Sequence, residues 1–163
     1  MSDVLRALIG QLNLEPIELN MFRGLTTNTG QPRVFGGQVI AQALMAAART
    51  VEGRHCHSLH GYFLRPGDPK LPIIYDVDRI RDGKSFTTRR VVAIQKGEAI
   101  FNMSASFQVA EAGLNHQAEM PQVPAPEDCP GDEEMFSGSS IDAWPAEMQR
   151  LMAMRPIEIR RVE

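Results

Sequence analysis

The stretch Phe35-Gly36-Gly37-Gln38-Val39-Ile40-Ala41-Gln42-Ala43-Leu44-Met45-Ala46-Ala47-Ala48-Arg49 decides the fold. From Val39 to Ala48 only Gln42 is polar, and no turn former interrupts the run. Alanine, leucine and methionine dominate it, and these residues have high helix propensity, so a helix is predicted. With no polar face to offer to water, the helix is expected to be buried nearly all round. The run is about half the length needed to cross a bilayer, so protein rather than lipid must cover it. Its alanines leave room for a sheet to approach closely.

Upstream, Val4, Leu5, Leu8, Ile9 and Leu12 recur at helical spacing behind a possible N-cap, Ser2, which predicts an amphipathic helix over Asp3–Leu12. Pro16 ends it, and Ile17, Leu19 and Met21 alternate with polar residues as in a strand. Thr26–Pro32 reads as a polar loop. Downstream the texture changes to strands. Cys56–Leu64 runs into Arg65-Pro66-Gly67-Asp68-Pro69, a strong turn signal. Ile73–Arg81 reaches Asp82-Gly83, a favoured hairpin pair. Ser85–Gln95 follows, with Phe86, Thr88, Arg90, Val92 and Ile94 on one face, then the turn Lys96-Gly97-Glu98. Ala99–Val109 alternates Phe101, Met103, Ala105, Phe107 and Val109 against polar neighbours. One strand, a buried helix and four long strands joined by tight hairpins predict an α+β chain of hotdog architecture, an antiparallel sheet wrapped around one long helix. Its open sheet edge would be covered if such units pair edge to edge, as hotdog units commonly do.

The 163 residues make about one average domain, and 43% apolar with 23% charged residues is the composition of a globular chain. A net charge of −3 argues against a dedicated nucleic-acid binder, which carries a basic face. Cys56 and Cys129 are far apart and form no CxxC pair, which fits a reducing compartment. The first six residues lack the positive run and apolar core of a secretory signal, so the expectation is a soluble cytoplasmic protein with no membrane partner. Beyond Glu111 order dissolves: prolines 121, 124, 126 and 130 mark an extended segment. Ala146–Met154 suits a helical turn or two, and Ile157, Ile159 and Val162 resemble the opening of a strand.

Three blocks, Val34-Phe35-Gly36-Gly37-Gln38-Val39, His57-Ser58-Leu59-His60-Gly61-Tyr62-Phe63-Leu64-Arg65-Pro66-Gly67-Asp68 and Arg81-Asp82-Gly83-Lys84-Ser85-Phe86, resemble the acyl-CoA thioesterase II family. Phe22-Arg23-Gly24 and Ala105-Ser106-Phe107-Gln108 fit the same pattern, and the likeness runs from about Asp3 to about Pro126. The resemblance implies two hotdog repeats in one chain that hydrolyse fatty acyl-CoA to free acid and CoA, without metal or organic cofactor. It covers only the first repeat. The implied division is residues 1–110 as the hotdog domain, 111–140 as a proline-rich linker and 141–163 as the start of a second repeat. The family's catalytic Asp, Thr and Gln belong to that second repeat, so this chain inherits none of those roles. Its implied partners are an acyl-CoA substrate and either a second hotdog unit or further copies of itself.

The residues by themselves agree. Thioester hydrolysis needs a base for water and a donor for the oxyanion, yet Gln38–Arg49 holds no Asp, Glu, His, Ser or Cys. Candidate binding residues remain. Gly36, Gly37 and Gln38 open the helix, whose free N–H groups could hold a thioester oxygen or a phosphate; the alternative is tight chain entry into the helix. His57 is a candidate site-wall residue or proton carrier, against the ordinary reading of a half-buried histidine. His55 and His57 would share a strand face, with His60 opposite, and no third ligand completes a metal set. Arg65 could meet a CoA phosphate, although turn stabilisation suits it better. Lys84 and Arg89 could supply charge for phosphates, or be plain solvated charge. A Cys56–His57 dyad fails because strand neighbours point apart, and Ser58 with His60 lacks an acid and a nucleophile elbow. Two rivals to hydrolysis are a non-catalytic acyl-CoA-binding or assembly module, and a hotdog dehydratase, which would want a histidine and a carboxylate near the helix.

Overall fold

The computed structural model describes residues 3–26, 30–131, 144–147, 149 and 157–162. Helix α1 spans Asp3–Leu12 as predicted; the N-cap assigned to Ser2 lies outside the described residues. The strand expected around Ile17–Met21 is instead a hairpin, β1 (Glu15–Glu18) and β2 (Met21–Gly24), turning at Leu19-Asn20. Helix α2 spans Gly36–Ala48. The long strands follow: β3 (His55–Phe63), β4 (Ile73–Asp82), β5 (Phe86–Gln95) and β6 (Glu98–Gln108).

The six strands form one antiparallel sheet in the order β1-β2-β4-β5-β6-β3. The helix α2 lies against it, touching β2 through β6. Val39, Gln42, Ala43, Ala46 and Ala47 are buried, and no residue from Gln38 to Ala48 is exposed. The core around it is Phe22, Ile73, Tyr75, Val77, Val91, Ala93, Phe101, Met103, Ala105 and Phe107. Three alanines at zero exposure show why the helix has so few large side chains: the sheet sits where they would go. The hotdog expectation is met.

One feature of the sheet differs from the sequence reading, and a second goes beyond it. Strand β3 pairs with β6, at the edge, so Leu64–Pro72 is a crossing and not a tight hairpin. Leu64 N and Arg65 N donate to Ile100 O, and Gln95 Nε2 donates to Asp68 O and Leu71 O, which straps the crossing over the end of β5 and β6. Local turn signals mark where a chain bends, not which strand it bends toward. Second, Phe86, Thr88, Arg90, Val92 and Ile94 do share a face, but it is the outer one. The core-facing set of β5 is Thr87, Arg89, Val91, Ala93 and Gln95, all buried. Its polar members are accepted because each finds internal partners.

The chain divides into two compact units, Ile9–Ala112 and Met1–Leu8 with Gly113–Glu163. Pro126–Asp128 forms a short 3-10 turn, and Arg160 donates to the carbonyls of Pro126, Glu127 and Cys129. Residues 157–162 form no strand; a strand needs a neighbour, and the described residues offer them none. Ala146, Glu147 and Gln149 are helical, while the rest of the helical segment predicted over Ala146–Met154 lies outside the described residues.

Candidate functional site

The N-terminal end of α2 is chemically open. Its N-cap, Phe35, is extended (φ −64°, ψ 125°) and supplies no side-chain cap. Gln38 N and Val39 N turn back to Phe35 O, which leaves the N–H groups of Gly36 and Gly37 without a partner among the described residues. Here the structure explains the glycine pair. A Cβ on Gly36 would lie 2.8 Å from the Phe63 ring, and one on Gly37 would strike the ring of Phe35. The two glycines are thus seats for two aromatic rings, and both rings remain largely open, Phe35 at 77% and Phe63 at 55% exposure. Phe63 also stacks on the core ring of Phe101 at 4.8 Å. An aromatic ledge therefore flanks free backbone donors at the positive end of the helix dipole.

Beneath the ledge a buried polar knot fixes the helix. Gln42 is fully buried; its Nε2 donates to Gln11 O (2.8 Å) and Leu25 O (3.0 Å), and its Oε1 accepts from Tyr75 OH (2.8 Å). Gln38 Nε2 donates to the same Leu25 carbonyl at 2.9 Å. Burial drives the Tyr75 hydroxyl far above its ordinary pKa, so it acts only as a neutral donor. Gly24 has no room for a Cβ, which would come within 3 Å of both Gln42 and Tyr75. The signal for this knot was in the sequence: Gln42 is the one polar residue between Val39 and Ala48.

The C-terminal end of α2 is closed. Arg89, only 1% exposed, uses all five of its donors. Nε reaches Thr50 Oγ1 (2.7 Å), Nη1 reaches Arg81 O and Thr88 O, and Nη2 reaches Thr50 O and Asp82 Oδ1 (2.6 Å). The bond from Arg89 holds the Asp82 carboxyl below its usual range. Arg89 is therefore a structural lock, and its assignment to phosphate binding is corrected: an arginine inside the core can be satisfied only by the core.

The remaining candidates are scattered. Arg65 is engaged by its own neighbourhood, Ala99 O at 2.8 Å and Glu98 at 3.1 Å, as a turn-stabilising residue would be. His57 is exposed on β3, shares a hydrogen bond with Ser106 Oγ at 2.8 Å and meets Phe86 edge-on. A bulge between Cys56 and Ser58 changes the parity of the strand. Cys56 then opposes core residue Phe107, whereas His55 and His60 oppose the outward Gln108 and Ser104. The expected split of His60 from the other two histidines is corrected by that bulge. No group of three or more His, Cys, Asp or Glu among the described residues could hold a metal ion. Lys84 is exposed at the β4–β5 turn. Thus Gly36, Gly37, Gln38 and Arg65 gather at one end of the unit and His57, Lys84 and Arg89 at the other, about 20 Å apart at about 3.3 Å per strand residue. A shallow cleft of about 570 Å³ lies at the first end, between Gly30–Pro32 and Pro66–Lys70.

Known proteins resemble this chain in sequence and fold. The family described as acyl-CoA thioesterase N-terminal domain matches residues 25–108. The chain is 46% identical to acyl-CoA thioesterase 2 of Haemophilus influenzae over 162 residues, 98% of this chain and 56% of that protein. A crystal structure of an acyl-CoA thioesterase II from Mycobacterium marinum superposes with a TM-score of 0.68 at 49% identity, over 77% of this chain and 48% of that one. A protein with hot dog fold from Alicyclobacillus acidocaldarius, 24% identical, superposes at a TM-score of 0.67 over 77% and 48% of the two chains, which supports the fold alone. The chain spans about half the length of the curated relatives it matches. With its sheet, its central helix and the Phe35-Gly36-Gly37-Gln38 opening all inside or beside the matched span, the chain belongs to the acyl-CoA thioesterase N-terminal domain family.

Proposed function

We propose that this chain is the first half of an enzyme that hydrolyses fatty acyl-CoA. Water adds to the thioester carbonyl, the C–S bond breaks, and the thiolate leaves with a proton as CoA. One observation carries the division of labour. Every polar side chain on the buried inner face (Gln42, Tyr75, Thr50, Thr87, Arg89, Gln95) is hydrogen-bonded within the unit, and none is a carboxylate or a histidine. Among the described residues, the inner face offers an apolar wall and, at its rim, the N–H groups of Gly36 and Gly37, suited to a polarised carbonyl oxygen, but no carboxylate or histidine to take a proton from water. The base belongs to a companion unit, and the chain by itself does not turn over.

The open edge β3 is where that companion fits. All but one of its residues are exposed, it bears no Asp, Glu, Lys or Arg, and it presents Leu59, Tyr62 and Phe63 beside unpaired backbone groups. Pairing there, with a second hotdog unit or another copy, supplies the missing half. Two unpaired cysteines, Cys56 and Cys129, suit a cytoplasmic setting, and no described helix is long and apolar enough to cross a membrane. The test is purified chain with a long acyl-CoA and a thiol-detecting reagent, with and without the second repeat of a matching relative. Release of CoA only in the combined sample is expected. Turnover by the chain alone that Gln38→Ala or His57→Ala abolishes would overturn the reading.

A further inference from the structure

The outer face of the sheet is more apolar than a face turned to water requires. An antiparallel sheet packed on one side commonly presents polar residues on the other. Here Ile74 of β4 pairs with Ile94 of β5, and Val92 lies two residues along on the same face. All three are half-buried, and none belongs to the core, whose inward positions on these strands are taken by Ile73, Tyr75, Val91 and Ala93. Further along the same two strands Asp78 and Arg90 stand opposite each other, both exposed. Cross-strand neighbours of opposite charge are within reach of one another. Yet among the described residues neither Asp78 nor Arg90 makes an ion pair.

We propose that two copies of this chain pack against each other through this face, sheet on sheet, with β4 and β5 at the centre. Sheets stacked in this way keep their strands within about 30° of each other, and a two-fold contact must be self-complementary. A two-fold axis lying between β4 and β5, parallel to the strands, meets that demand row by row. Ile74 of one copy lies over Ile94 of the other, and Asp78 of one lies over Arg90 of the other, each contact formed twice. The exposed Asp76 is one diagonal step from the Asp78 row, within reach of the same guanidinium. The result is an apolar patch beside a charged pair, the composition of a protein interface. A partner of a single charge sign would match half of this pattern; a second copy matches both halves. The face is separate from the open edge β3, because β4 and β5 are interior strands of the sheet. The contact holds whether or not acyl-CoA is the substrate.

Sedimentation velocity of the full chain, from about 1 to about 100 μM, tests this directly. Wild type is expected to dimerise within that range and to dissociate more readily as salt rises. Asp78→Arg alone, or Arg90→Asp alone, sets like charges over each other and is expected to weaken the dimer at least about tenfold. A one-to-one mixture of those two variants sets opposite charges over each other at both contacts and is expected to restore it. Recovery in the mixture also shows that each variant is folded. Ile94→Ser, which leaves the charges alone, is expected to weaken the dimer about tenfold with the melting temperature close to wild type. A wild type that stays monomeric at the highest concentration overturns the proposal. So does a dimer that neither single charge variant weakens, because pairing along β3 would behave in that way. A mixture no tighter than its separate components overturns it as well.

Discussion

The two ends of α2 are built on opposite principles. At its C-terminal end the helix runs into Thr50, and a buried arginine ties that residue to the β4–β5 hairpin with every donor used. At its N-terminal end no side chain caps the helix, two N–H groups have no partner among the described residues, and two phenylalanine rings are largely exposed. Stability is concentrated at the closed end, and the open end keeps the unsatisfied groups that a ligand or partner could use. The difference teaches that a fully satisfied polar network and a functional site are competing uses of the same backbone.

Breaking the closed end should give the largest effect. Arg89→Met removes five hydrogen bonds and strands the buried Thr50 carbonyl; a loss of about 3 kcal/mol is expected from urea unfolding. Next comes the knot below the open end. Tyr75→Phe leaves buried Gln42 Oε1 without its donor and should cost about 1–2 kcal/mol, read from the same transition. Gly24→Ala, which drives a methyl against Gln42 and Tyr75, should cost about 1–3 kcal/mol.

A pH series sharpens the comparison further. The Asp82 carboxyl lies below its ordinary 3.8 in the fold, chiefly through its bond from Arg89. Its contribution is therefore present above about pH 4 and is lost as pH falls through the lowered value. Asp82→Asn should flatten that part of the acid limb in denaturant midpoints taken between pH 5 and 2; an unchanged limb would show that the carboxylate is not coupled to folding. The smallest effect belongs to the open end. Gly36→Ala meets only the far edge of the exposed Phe63 ring, which can swing aside, so stability should fall by less than about 1 kcal/mol. Under the proposed function, acyl-CoA hydrolysis by the chain with its companion unit should fall more than stability does, because the ledge beside the Gly36 and Gly37 N–H groups is displaced.

Much of this was legible from residues alone. The unbroken apolar run from Val39 to Ala48 required burial, and the helix is buried. The alternation in Ala99–Val109 placed Phe101, Met103, Ala105 and Phe107 on the core face, where they lie. The candidate site was less legible. Arg89 read as surface charge beside a turn, because nothing local signals that Thr50, 39 positions away, waits for it. The Gly36-Gly37 pair read as room for a ligand or for chain entry, and proved to be room for Phe35 and Phe63.

By itself, then, the sequence determined the element types, the buried helix and the absence of an acid–base group along it, since periodicity and residue chemistry are local properties. Only the tertiary structure decided that β3 crosses to the far edge, that the β3 bulge turns all three histidines outward, and which end of α2 is sealed. Each of those depends on contacts between residues distant in the chain, where register and the satisfaction of buried polar groups outweigh local preference.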